Sequence, residues 1–165
     1  MKTRSHTMTN GFAMLEILIS ILVIAFGLLG LAGLQGTSIR NNHSAYLRNQ
    51  ATLYAYDIAD RIRANRVGFD NGNYHLGVAA DTAACHPSAA PVGCTTAQMA
   101  GYDLFAWGQM LSTLPSGQGI VCIDSTPVGG TFAAPACDGI GIQYVAKIWW
   151  QEAGGLSQFN VTFQP

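Results

Sequence analysis

The chain has 165 residues, enough for one ordinary domain, and only 10% of them are charged against about 25% in a typical globular protein. Formal net charge is −1. Setting aside Lys2 and Arg4 at the start, six basic residues face nine acidic ones, or −3, which excludes the basic face of a nucleic-acid-binding domain. Part of the charge deficit lies between Ile17 and Ile39, where no side chain is charged.

The first eleven residues, MKTRSHTMTNG, are polar and basic. The next 23, Phe12 to Leu34, read FAMLEILISILVIAFGLLGLAGL, and as a helix would span about 35 Å, enough to cross a hydrocarbon core of about 30 Å. Lys2 and Arg4 favour a cytoplasmic N-terminus. Three readings compete for the segment: a secretory signal peptide cut near Gly30-Leu31-Ala32, a plain signal anchor, or a leader cut ahead of the apolar run.

Glu16 discriminates between them. An ionisable group inside an apolar span costs about 2.5–3.5 kcal/mol at the bilayer centre and is by default functional. If the chain is cut between Gly11 and Phe12, the new Phe12 amine is a cation one helical turn from Glu16. In a bundle of such helices Glu16 can accept the amine of a neighbour, which favours one axial register. Gly11-Phe12-Ala13-Met14-Leu15-Glu16 resembles the type IV prepilin processing motif. The resemblance implies that a prepilin peptidase removes the leader, residues 1–11, and that Phe12 is N-methylated.

The helical pattern continues past Leu34 through QGTSIRNNHSAYLRNQATLYAYDIADRIRANR. Ile39, Tyr46, Leu47, Leu53, Tyr54, Ile58 and Ile62 recur on a 3.6-residue period, and Asp57 and Arg61 form an i,i+4 pair in the favourable order. We therefore expect one long helix with a membrane half (12–34) and an amphipathic half (35–65), ending near Asn65-Arg66-Val67-Gly68. Gly27, Gly30, Gly33 and Gly36 recur every third residue, either for close packing in a membrane or as a stretch weak enough to unwind during assembly.

The rest, 66–165, reads as a globular head. Gly68–Ala97 is rich in Gly, Asn, Ala and Pro and is expected to be a long loop. Thr95-Thr96-Ala97-Gln98 offers a capping box, and Met99, Tyr102, Phe105, Ala106, Trp107, Met110, Leu111 and Leu114 follow at helical spacing, predicting a short helix over 96–114. Strands are expected at Ile120–Asp124, Gly141–Gln151 and Leu156–Phe163, the last two joined through Glu152-Ala153-Gly154-Gly155. Lys147, interrupting the apolar run of the middle strand, is expected to face solvent. The fold class is thus α+β: a long N-terminal helix packed on a small antiparallel sheet with one extra helix.

Four cysteines, Cys85, Cys94, Cys122 and Cys137, suggest two disulfides in a head outside the cytoplasm. Three pairings are possible. The local one, Cys85–Cys94 with Cys122–Cys137, closes the two regions richest in loop, each bridge contributing about 3 kcal/mol in the loop-entropy model. No spacing matches a metal motif, His6, His43, His75 and His86 are scattered, and Asp124-Ser125 reads as turn chemistry, so no catalysis, metal or cofactor is expected.

CTTAQMAGYDLFAWGQML, VCIDSTP, PACDG, KIWW, the FQP ending and GLLGLAGLQ resemble PilV-type minor pilins, the type IV pilus modification proteins. The resemblance implies a type IV pilin-like fold and a subunit that initiates pilus assembly or completes the tip. It would span the inner membrane once, head in the periplasm, or lie in the assembled pilus. Its partners would be prepilin peptidase, other minor pilins, the major pilin, the assembly machinery and membrane lipid. The alternatives are a type II secretion pseudopilin and a membrane-anchored binding or adhesion module using the Gly68–Thr96 loop.

Overall fold

The computed structural model describes residues 10–87 and 93–164, the side chains of 10–13 excepted. The expected leader, 1–11, therefore lies outside the described residues apart from the backbone of its last two. The chain divides into two compact units, residues 1–43 and 44–165. Helix α1, Asn10–Ala64, contributes to both. Then come α2 (Arg66–Asp70), a 3-10 turn (Ala83–Cys85), α3 (Thr96–Leu111) and strands β1 (Gln118–Ile123), β2 (Tyr144–Glu152) and β3 (Gly155–Phe163).

In the first unit every residue from Met14 to His43 is exposed. Helical geometry persists through Gly27, Gly30, Gly33 and Gly36, and a Cβ added at any of the four would meet nothing within 4 Å. Nothing among the described residues requires glycine at those positions.

In the second unit, Leu47, Ala51, Ala55, Ile58, Ala59 and Ile62 form the buried stripe of α1. Their spacing of three and four keeps them on one face. They share a core with Leu104, Trp107 and Leu111 of α3 and with the sheet. The alanines let the backbone approach closely, and Trp107 Nε1 donates to the Tyr54 carbonyl at 2.9 Å. Helix α3 starts where the capping box predicts, Thr95 accepting from the Gln98 N–H and the Gln98 side chain accepting from the Thr95 N–H.

The sheet is antiparallel in the order β1-β2-β3. The two-residue turn Ala153-Gly154 joins β2 to β3, with Gly155 at φ +126°, a region that favours glycine. Register places Val121, Ala146 and Val161 abreast on one face, with Gly119, Ile148 and Phe159 beside them. Gly119 is required there, since a Cβ would lie 2.5 Å from both Trp107 and Leu111 atoms. The second face carries Ile120, Lys147 and Asn160, then Cys122, Val145 and Thr162, then Gln118, Trp149 and Gln158.

Two expectations need correction. The stretch Gly68–Ala97 is not wholly loop. Its first residues belong to α2, whose start is capped by the Asn65 side chain accepting from the Gly68 N–H, and Ala83–Cys85 forms a 3-10 turn. Turns this short bury too little to show a period.

Lys147 does not face solvent: its side chain is 0% exposed. The connection between β1 and β2 folds over the second face, so β2 is buried on both sides. Lys147 Nζ lies 2.5 Å from Asp124 Oδ2, likewise wholly buried, and donates to the Pro135 carbonyl at 2.8 Å. Asp124 Oδ2 has no other partner, while Oδ1 accepts the Thr126 N–H at 2.9 Å in an Asx-type turn. Burial pushes the Asp124 carboxyl up, but Lys147 and the Thr126 N–H outweigh it and hold the carboxyl below its ordinary value. The covering segment is tied to β1 by the Cys122–Cys137 disulfide, and Cys85 is bonded to Cys94.

Removing one partner of a buried ion pair strands the other. Lys147→Ala or Asp124→Ala should each cost about 3–5 kcal/mol in urea unfolding of the full chain in detergent, and a Lys147→Met, Asp124→Leu double variant should lose far less. Because the Asp124 pKa is depressed on folding, its contribution is present above the unfolded value of about 3.9 and is lost as pH falls through the folded one. The double variant should lack that acid sensitivity.

Candidate assembly surface and the polar network of the head

Within the first unit the candidate site is Glu16 and the helix surface around it. Ile17, Leu18, Ile19, Ile21, Leu22, Val23 and Ile24 are each more than half exposed, so this stretch of α1 packs its apolar side chains on no other element among the described residues. Among the described residues α1 is the one helix long and apolar enough to cross a membrane. Glu16 stands in this surface, and its carboxylate has no partner among the described residues. Its carbonyl accepts the Ser20 hydroxyl at 2.8 Å, one turn on, and the Thr37 hydroxyl donates to the Gly33 carbonyl at 3.2 Å. Such bonds satisfy hydroxyls inside an apolar environment. Gly11 and Phe12 belong to the first turn of α1, and their side chains lie outside the described residues.

In the second unit several polar groups are paired and hold elements together, while the buried Asn73 Oδ1 has no hydrogen-bond partner among the described residues. Glu152, at the end of β2, accepts the Ser44 hydroxyl at 2.7 Å and the Trp150 indole N–H at 2.8 Å, with Arg48 at 3.8 Å. These contacts, the Ser44 hydroxyl foremost, hold its carboxyl below the ordinary range. They pin residues 44–48 of α1 to the β2–β3 turn.

A second network lies at the other end of this helical stretch. Asp103 of α3 accepts the Tyr74 hydroxyl at 2.6 Å and lies 3.6 Å from Arg61, which also bonds Asp57 at 2.6 Å. Asn65 donates to the Tyr74 oxygen at 3.0 Å and to the Thr96 carbonyl at 2.8 Å. Burial pushes the Asp103 carboxyl up, more than Tyr74 and Arg61 pull it down, and burial with Asp103 raises the Tyr74 phenol. The i,i+4 spacing pairs Arg61 with Asp57 alone, and Asp103 as its second partner does not follow from that spacing. The missed signal was that Asp103 falls at i+3 from Ala100 and i−4 from Trp107, on the buried stripe of α3.

No described cluster has the form of a catalytic or metal centre. Cys122, Asp124 and Cys137 converge, but the two sulfurs share a disulfide and the carboxylate holds Lys147. His75 Nδ1 accepts the Ile123 N–H at 2.9 Å, and His86 lies 2.6 Å from Asp81 on the surface.

Tyr74→Phe should cost about 1–3 kcal/mol at pH 7, since it leaves a buried carboxylate short of a donor. The Tyr74 bond favours ionised Asp103, so its contribution is present where Asp103 is charged and should shrink as acid protonates the group. Denaturant unfolding at pH 7 and at about pH 4 separates the two cases.

Over residues 33–105, less than half of its length, the chain is similar to the family described as Tt1218-like, Type IV pilin Tt1218. No curated protein and no solved structure matches it. The matched segment takes in α1 from Gly33 onward and α3 as far as Phe105, including Asp103, Tyr74 and Arg61. A long N-terminal apolar helix, a three-stranded antiparallel sheet and one extra helix are together consistent with the type IV pilin fold, and on both counts the chain is type IV pilin-like.

Proposed function

We propose that the protein is a minor pilin of the PilV type, a structural subunit that initiates type IV pilus assembly or completes the tip. Prepilin peptidase cuts between Gly11 and Phe12, removing residues 1–11, and Phe12 is then N-methylated. The mature chain spans the inner membrane once through residues 12–34, with the amphipathic stretch 35–65 leading to a periplasmic head, 66–165. It leaves the membrane by packing α1 against the helices of other minor pilins and the major pilin.

The observation that supports this reading is Glu16, a carboxylate without a partner among the described residues, set in an exposed and mostly apolar helix surface. A passive anchor gains nothing from it. A subunit whose neighbour presents the Phe12 amine gains a register, because each desolvated charge is costly until the other arrives. The four glycines fit the same reading. Since no described atom lies within 4 Å of where their Cβ atoms would be, the space is available to a neighbouring helix.

Intact mass and N-terminal sequencing of the membrane-extracted protein should show loss of Met1–Gly11 and a methylated Phe12. Reduction should add four protons. A chain beginning after Ala32 would make it a secreted domain, and an uncut chain an anchored module. Glu16→Ala should leave the protein processed and membrane-bound but absent from sheared pili. Gly30→Ala with Gly33→Ala should leave the isolated chain as stable or more so, by about 1 kcal/mol per site, while impairing assembly. Deletion that spared piliation and twitching but abolished exoprotein secretion would transfer the role to a type II pseudopilin.

A further inference from the structure

The segment over the second face of the sheet, Ser125–Gln143, is held there in an uncommon way. None of its side chains is fully buried, and Val128, Ile140 and Ile142 are among the exposed apolar residues. It brings the sheet its backbone instead. The carbonyls of Gly129, Gly130 and Pro135 accept from Gln158 Nε2 at 3.2 Å, Trp149 Nε1 at 3.2 Å and Lys147 Nζ at 2.8 Å. Phe132 adds an edge-on contact to Trp149 at 6.3 Å. The covalent tie is Cys122–Cys137, with Cys122 on the covered face beside Val145.

The segment's conformation is not one its residues adopt readily. Ala136, next to Cys137, sits at φ +53°, in the left-handed region. Gly130, at φ +82°, has the Pro135 carbonyl carbon 2.5 Å from where a Cβ would be. Closure buries Val145 and Trp149 of the sheet, which favours it. It also buries Lys147 and Asp124, whose lost hydration opposes it. With no fully buried side chain of its own and Phe132 meeting Trp149 only edge-on, the segment depends on the disulfide to limit the freedom it would gain by opening.

We propose that Ser125–Gln143 is a disulfide-latched cover, closed by oxidation of Cys122 and Cys137 and opened by a dithiol reductant. Opening exposes Lys147, Val145 and Trp149 while the opposite face of the sheet keeps its core. In closing, the two thiols give up two protons and two electrons to a disulfide oxidant, which leaves as a dithiol. In opening, a dithiol supplies them and leaves as a disulfide. A subunit is then fully folded only after its head has met an oxidising compartment, and Lys147 reports that step.

Lys147 and Lys2 are the chain's two lysines, so acetylation of the full chain in detergent by an N-hydroxysuccinimide ester reads the cover at one site by peptide mass. Lys147 should react at least about tenfold faster after dithiol treatment than before it. Cys122→Ser with Cys137→Ser should react fast without reductant, and Cys85→Ser with Cys94→Ser should stay protected. Amide exchange in α3 should remain slow throughout, showing that the core beneath the opposite face is intact. The proposal is overturned if Lys147 is equally protected in the Cys122/Cys137 variant or equally reactive in the oxidised wild type. It is also overturned if α3 loses protection together with Lys147, which would mean that the whole head unfolds.

Discussion

Seven consecutive residues of the middle strand, Tyr144 to Trp150, are buried. Side chains alternate across a strand, so this can hold only if both faces of a small sheet are covered. The first face, with Tyr144, Ala146, Ile148 and Trp150, packs on α1 and α3 and is apolar. The second, with Val145, Lys147 and Trp149, is closed by the connection from β1, with no helix against it among the described residues. Much of the head's arrangement answers this requirement. The stripe on residues 44–64 of α1, the tryptophan of α3 seated over Gly119 and the disulfide at Cys122 each serve one face or the other.

Periodicity was a good guide where an element pays for its position in apolar area. The long helix, the capped α3, three strands and the hairpin were legible because burial on one side leaves a repeat of 3.6 or 2 residues. Lys147 was misread by assuming that a lysine in a strand marks a solvent face. The nearly continuous apolar run around it was the better signal, since a strand covered on both faces has no polar alternation. Its partner lies in a different part of the chain, and no local pattern announces that Asp124 and Lys147 meet. Asp103 was obscured for a related reason: a carboxylate on a buried stripe looks like an interruption until Tyr74 and Arg61 are brought to it. Glu16 was legible because a charge inside an unbroken apolar run stands out against its immediate neighbours.

Lys147 and Glu16 pose the same physical problem, an ionisable group removed from water, and the chain treats them differently. Lys147 is supplied with everything it needs from within: a carboxylate at 2.5 Å, a carbonyl at 2.8 Å and a cover. Its charge is a matter of folding. Glu16 is supplied with nothing among the described residues, and the helix that carries it buries no apolar surface of its own in that region. A charge left unpaired in an apolar surface is destabilising unless something outside the chain completes it. Lipid offers no cation at the depth of an apolar helix, whereas under the proposed cut ahead of Phe12 a second helix of the same kind would offer one at its first residue. On that reasoning the head is complete as a single chain and the N-terminal helix is not. That division fits the proposed role of a subunit whose head folds alone and whose helix is completed by its neighbours.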